Sequence, residues 1–181
     1  MEKTDQKLFS LCFSLMEEQL LPPSKWEGEV SAETTAGKPH EIWPLLADEF
    51  CSLHKWLPID TCHYVEGVQG QPGLIRYCAT TDTTSSSEPS IKWAHERLKL
   101  IDPTEHILSY EILDNNVGFK SYVATMKLLP GGGDDGGGCK MVWSFEADPI
   151  EGWPLEEFVK YLEFSLQQMV NKMAEYLQKS P

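Results

Sequence analysis

Between Leu155 and Leu177, apolar residues return every three or four positions: Leu155, Phe158, Val159, Leu162, Leu166, Met169, Val170, Met173 and Leu177. That spacing lays a single apolar stripe along about six turns of helix. A stripe of this length must be covered by a wide apolar surface, so it constrains everything upstream of it. Pro154 suits the opening of the helix. Glu156 and Glu157 in its first turn complement the positive end of the helix dipole.

The covering surface is legible as strands. Trp26, Gly28, Val30 and Ala32 alternate with Lys25, Glu27, Glu29, Ser31 and Glu33, the pattern of a half-buried strand that ends at Gly37. Pro39 then opens a pair of short helices, with Ile42, Trp43, Leu46 and Phe50 on one stripe and Leu53 and Trp56 beyond a break; Pro58 stops them. Six further strand-like runs follow, at about 61–68, 74–81, 91–101, 106–113, 121–129 and 140–147, separated by turn-rich segments. The expected architecture is α+β: a seven-stranded, curved antiparallel sheet wrapped around a long C-terminal helix, with two short helices and an internal cavity. Residues 1–23 read as an amphipathic extension ending in Pro22-Pro23, and 24–181 as one domain. The run Gly131 to Gly138 resembles a phosphate-cradling loop only in glycine content, because it carries Asp134 and Asp135 and no Lys-Ser/Thr opens a helix after it.

Charge and cysteine usage exclude several classes of function. Fifteen basic against 28 acidic residues leave a net charge of −13, which repels nucleic acid and anionic lipid. No run approaches the ~20 apolar residues of a membrane span, and the N-terminal residues do not read as a secretory signal. The five cysteines, Cys12, Cys51, Cys62, Cys78 and Cys139, are scattered without metal-ligand spacing. They are expected to be reduced thiols of a cytoplasmic or nuclear protein, and neither a metal nor a cofactor is expected.

A sheet curled around one helix leaves room near its mouth for a small, largely apolar molecule. The expected entrance lies between the loop after Ala79 and the loop at Asn115–Gly118. Strand parity places Tyr122, Ala124, Met126 and Leu128 on one face, and Met141, Trp143, Phe145 and Ala147 on another. On 91–101 the inward set is Lys92, Ala94, Glu96, Leu98 and Leu100, because it contains two leucines. On 74–81, Leu74, Arg76 and Cys78 compete with Ile75, Tyr77 and Ala79, and parity alone does not decide. Expected lining residues are Lys92, Tyr110, Met126, Trp143, Phe145, Phe158, Leu162 and Leu166. Glu96 is then a carboxylate on an apolar face, with Arg76 as its counterpart one strand away. Such a pair is either a structural ion pair, or a general acid/base beside an anion-stabilising cation and a phenol, Tyr122.

Several short stretches carry a resemblance: Lys25-Trp26-Glu27-Gly28, Trp43-Pro44-Leu45-Leu46, Leu53-His54-Lys55 before Pro58, Val65-Glu66-Gly67, Ile75-Arg76-Tyr77, Trp93-Ala94-His95-Glu96, Tyr122-Val123-Ala124-Thr125-Met126 and Trp143-Ser144-Phe145. On these the chain resembles the lachrymatory factor synthases, plant enzymes of the START-like, birch-pollen-allergen superfamily also called polyketide cyclase/dehydrase. The resemblance implies a helix-grip fold and an inward-pointing Arg76. It implies a cofactor-free rearrangement of a small alkenyl sulfenic acid to a thial S-oxide, with Arg76, Glu96 and Tyr122 in the catalytic positions. Lys92 stands where those enzymes carry an aromatic residue. The stretch Glu96 to Asp102 is also similar to the abscisic-acid receptors of the same superfamily. Their Ser-Gly-Leu-Pro-Ala gate and His-Arg-Leu latch are replaced here, which implies no hormone-dependent phosphatase binding and leaves a carrier or sensor of a hydrophobic metabolite as the alternative to an enzyme.

Overall fold

The computed structural model describes residues 24–83, 88–132 and 137–179. The expected N-terminal extension, most of the serine-rich loop and the centre of the glycine loop lie outside the described residues. Seven strands form one antiparallel sheet: β1 (Trp26–Thr34), β2 (Thr61–Glu66), β3 (Ile75–Asp82), β4 (Ser90–Asp102), β5 (Ile107–Asn115), β6 (Tyr122–Pro130) and β7 (Cys139–Ala147). Their order is β1-β7-β6-β5-β4-β3-β2, so the chain meanders from β2 to β7 and the first strand pairs with the last. Helix α1 (Pro39–Ala47) and a 3-10 helix (Phe50–Lys55) join the two edge strands β1 and β2, and helix α2 (Leu155–Lys179) closes the chain.

Local chemistry sets these elements. Pro39 occupies the start of α1, and the Glu41 carboxylate accepts the Lys38 backbone N–H at 2.7 Å, as in a capping box. Alternation on β1 buries Val30 and Ala32 and leaves Glu27, Glu29, Ser31 and Glu33 outside. Helix α2 buries Phe158, Leu162, Ser165, Leu166, Met169, Val170 and Met173 along one face, against β1, β7 and α1. The apolar interior formed with the sheet is continuous with the Ile42, Trp43, Leu46 and Phe50 side of the two short helices. No helix among the described residues is long and apolar enough to cross a membrane.

Two β-bulges bend the sheet beside Glu96. Glu96 faces Ile112 while His95 faces Asp114, so Leu113 is the extra residue on β5; Leu98 faces Tyr110 while Leu100 faces Ser109, so Lys99 is the extra residue on β4. Bulges increase local twist and bending, which lets a sheet wrap a helix. The second bulge also overturns one expectation. Beyond it the parity of β4 inverts, so Leu100 is 46% exposed and Ile101 packs against the core in its place. The alternating pattern across 91–101 could not reveal a one-residue insertion. Strand bounds otherwise move by a residue or two from those expected, and β2 ends at Glu66 instead of 68.

Candidate functional site

Arg76 of β3 and Glu96 of β4 are direct register partners. Residues opposite one another on adjacent strands share a face, so both point to the concave side. Arg76 is 4% exposed, which resolves the parity of its strand in favour of Arg76 and Cys78. Its Nε and Nη2 each donate to Glu96 Oε2 at 2.6 Å, and Nη1 donates to the Phe50 carbonyl at 2.6 Å. The guanidinium carbon lies 3.9 Å from the centre of the Phe50 ring. Burial is the largest single influence on Arg76 and works against its charge, but Glu96, Cys78, Cys62 and Tyr110 together outweigh it and the pKa is raised. The arginine is therefore a fixed cation, held by strand register on one side and by the 3-10 helix on the other. Among the described residues Glu96 Oε1 accepts no hydrogen bond, so half of the carboxylate is uncommitted.

Glu96 borders a cleft of about 190 Å³ at the mouth of the sheet. Cys78, Ala79 and Thr80 of β3, Lys92 and Ala94 of β4 and Ile112 of β5 form its floor, while Ile59, Val117, Phe119, Trp153 and Tyr161 form the walls. This matches the entrance expected between the loop after Ala79 and the loop at 115–118. Asn115 shapes the second loop: its Oδ1 accepts the backbone N–H groups of Val117, Gly118 and Phe119 at 2.9–3.1 Å. The cleft is largely apolar, with Lys92 and Glu96 as the charged residues of its lining, so it offers an amphipathic molecule both dry surface and charged groups.

The expected lining residues separate into three groups. Lys92 and Glu96 line the cleft. Arg76, Tyr110, Met126 and Trp143 border a small void of only about 20 Å³, with Phe50 and Met169. Tyr122, Phe145, Phe158, Leu162 and Leu166 line neither space and are packed in the core. The packing is aromatic: Phe158 meets Trp26, Phe119, Tyr122, Phe145 and Trp153 with ring centres 5.1–6.1 Å apart. Tyr122 also stacks on Phe145 at 6.4 Å. Burial, and then the nearby Glu96 charge, raises the Tyr122 phenol above its ordinary value; Tyr110 is raised first by burial and then by Tyr122. Both remain neutral hydroxyls. His54, the remaining histidine of the Leu53-His54-Lys55 stretch, is exposed on the 3-10 helix and outside the cleft.

Sequence reasoning missed most of the cleft walls. Cys78 and Thr80 share the Arg76 parity and could have been read from it. Phe119, Trp153 and Tyr161 come from loops and from the exposed shoulder of α2, where no periodicity points to a site. Among the described residues no group of three or more His, Cys, Asp or Glu side chains could hold a metal ion.

Comparison with known proteins agrees with this architecture. The family described as polyketide cyclase / dehydrase and lipid transport matches residues 26–178. Abscisic acid receptor PYL10 of Arabidopsis thaliana is 27% identical over 136 residues, covering 75% of this chain and 71% of the receptor. Among solved structures, Ara h 8.0201 superposes with a TM-score of 0.66 at 17% identity, covering 87% of this chain and all of that one. The protein XoxI from Bacillus cereus does so with a TM-score of 0.63 at 20% identity, covering 84% and 96%. At these identities the two structures speak for the fold alone.

Proposed function

Because the chain belongs to the polyketide cyclase / dehydrase and lipid transport family, we propose that it binds a compact, largely apolar metabolite in the cleft before Glu96 and moves a proton on it with that carboxylate. The observation that carries this reading is a half-free carboxylate, pinned by a buried arginine, facing an apolar cleft. Only Glu96 of the three expected catalytic residues exchanges a proton readily, because Arg76 stays cationic and Tyr122 stays neutral. The cleft is smaller than the about 300–1,000 Å³ common for drug-sized ligands, which favours a short molecule. The reaction of the lachrymatory factor synthases suits this arrangement. Glu96 would accept the O–H proton of an alkenyl sulfenic acid and return it to the alkene carbon not bonded to sulfur, as S–O and C–S bonding rearranges to the thial S-oxide. Arg76 would hold the carboxylate in place.

A second reading, a carrier or sensor of the same kind of ligand, is favoured by the place of Tyr122 inside the aromatic core and not on the cleft. The Arabidopsis relative is a receptor for a small molecule, abscisic acid. One experiment separates the readings. A coupled assay generates a short-lived alkenyl sulfenic acid and reads thial S-oxide by gas chromatography, while tryptophan quenching follows binding of an inert apolar analogue. Glu96→Gln should abolish turnover, by at least the ~100-fold typical of a lost general acid/base, and leave binding within a few-fold. Turnover that survives in Glu96→Gln refutes the proton-transfer role. Binding without turnover in the unaltered protein establishes the carrier, and absence of both overturns the ligand reading itself.

A further inference from the structure

Sixteen positions apart in sequence, Cys62 of β2 and Cys78 of β3 are direct register partners, and their Sγ atoms lie 3.3 Å apart. Directly opposed residues of antiparallel strands have Cα atoms about 4.5–5.5 Å apart, within the about 4.4–6.8 Å that a disulfide spans. Both sulfurs are free thiols in the structure. Cys78 lines the cleft, and its Sγ sits 4.0 Å from Glu96 Oε2, while Cys62 lies behind it with its Sγ 4.0 Å from the Phe50 carbonyl. The proposed proton transfer uses neither sulfur.

We propose that Cys62 and Cys78 form a redox site of their own, a dithiol that a hydroperoxide entering the cleft oxidises to a cross-strand disulfide. The inference stands independently of any ligand turned over by Glu96. In the first step one thiolate attacks the near oxygen of the peroxide. The O–O bond breaks, the sulfur becomes a sulfenic acid and the departing hydroxide or alkoxide takes up a proton. In the second step the other sulfur attacks the sulfenic sulfur, the S–S bond forms and water leaves. Overall two thiols and one hydroperoxide give one disulfide, one alcohol (or water) and one further water. The thiols lose two electrons and the peroxide gains them.

The surroundings suit this chemistry. The two sulfurs share one proton: the hydrogen bond from Cys78 draws Cys62 down to about 7, and holding that proton raises Cys78. The Arg76 guanidinium favours the negative charge on either sulfur, while burial and the Glu96 carboxylate oppose it. Cys51 and Cys139 differ, because burial raises both, Cys139 to about 11. The pair also sits where a cross-link has leverage, since β2 is an edge strand and β3 is its neighbour in the sheet.

The test uses the full-length reduced protein with stoichiometric hydrogen peroxide at neutral pH, quenched with an alkylating reagent and mapped by mass spectrometry without reduction. The expected product has lost two hydrogens, links the Cys62 and Cys78 peptides, leaves Cys51 and Cys139 alkylated, and reverts with dithiothreitol. The oxidation rate should rise roughly tenfold from pH 6 to pH 8 as Cys62 loses its proton and the pair is left with the shared one. In guanidinium chloride the preference for this pair should vanish. Cys78→Ser and Cys62→Ser, checked for native circular dichroism, should each lose the disulfide and leave the remaining thiol as a sulfenic acid that dimedone traps. Recovery of both cysteines alkylated at a peroxide dose that oxidises free cysteine overturns the proposal. So does a disulfide from Cys62 to Cys51 in the unaltered protein, or oxidation of the pair straight to sulfinic acid.

Discussion

Arg76 makes three hydrogen bonds and lies over an aromatic ring, so its removal tests more than one contact. Arg76→Leu leaves the Glu96 carboxylate, 13% exposed, without its cation. The expected loss in urea unfolding is about 3–5 kcal/mol, the range for breaking a buried pair from one side. The double variant Arg76→Leu/Glu96→Leu removes the stranded charge as well. It should recover most of that loss and remain about 1–3 kcal/mol below the unaltered protein, because the Phe50 carbonyl still lacks its donor. A double variant no better than Arg76→Leu would show that the ion pair itself supplies the stability. On the outer face the Arg97–Glu111 pair is partly solvated, and the Arg97 and Lys99 partners hold the Glu111 carboxyl below its ordinary value. Exposed pairs of that kind contribute about 0–1 kcal/mol, so the same substitution at Arg97 should be nearly silent in the same assay.

Among the elements, the joint between β1 and β7 depends on Gly138. Gly138 has φ +95°, and a Cβ there would lie 2.3 Å from the Thr34 carbonyl oxygen, a backbone atom that has no room to yield. Gly137 has open space around it and no positive φ. Gly138→Ala should therefore lower stability by at least about 1–3 kcal/mol through backbone strain, whereas Gly137→Ala should stay within about 0.5 kcal/mol. Thermal unfolding of the two variants checks this, and equal melting temperatures would refute the close approach. Composition showed only that the segment is rich in glycine; which glycine is obligatory depends on where β1 ends. The same limit applies to the bulge at Lys99, since Leu98 and Leu100 look equivalent in a list of alternating residues yet face opposite sides.

Over the whole molecule, α2 and the sheet bury each other's apolar faces, and neither is stable without the other. Leu166 is fully buried at the middle of that contact. Leu166→Asp places an uncompensated carboxylate there, at a cost comparable to the whole ~5–15 kcal/mol of a typical domain. Circular dichroism should show loss of cooperative unfolding, and a variant that melts like the unaltered protein would refute this packing. The sequence by itself determined the architecture, because a helix stripe of period 3.6 and strand alternation of period 2 depend only on neighbours along the chain. Those periods were enough to call for a curved sheet around α2, to set Glu96 on an apolar face and to set the mouth between two polar loops. Only the tertiary structure decided that Arg76 faces Glu96, that Cys62 meets Cys78, and that the interior behind them is filled by Tyr122, Phe145 and Phe158 while the open space lies nearer the rim. Register between strands, bulges and the volume left after aromatic rings interlock arise from contacts between segments far apart in the chain, and no local period encodes them.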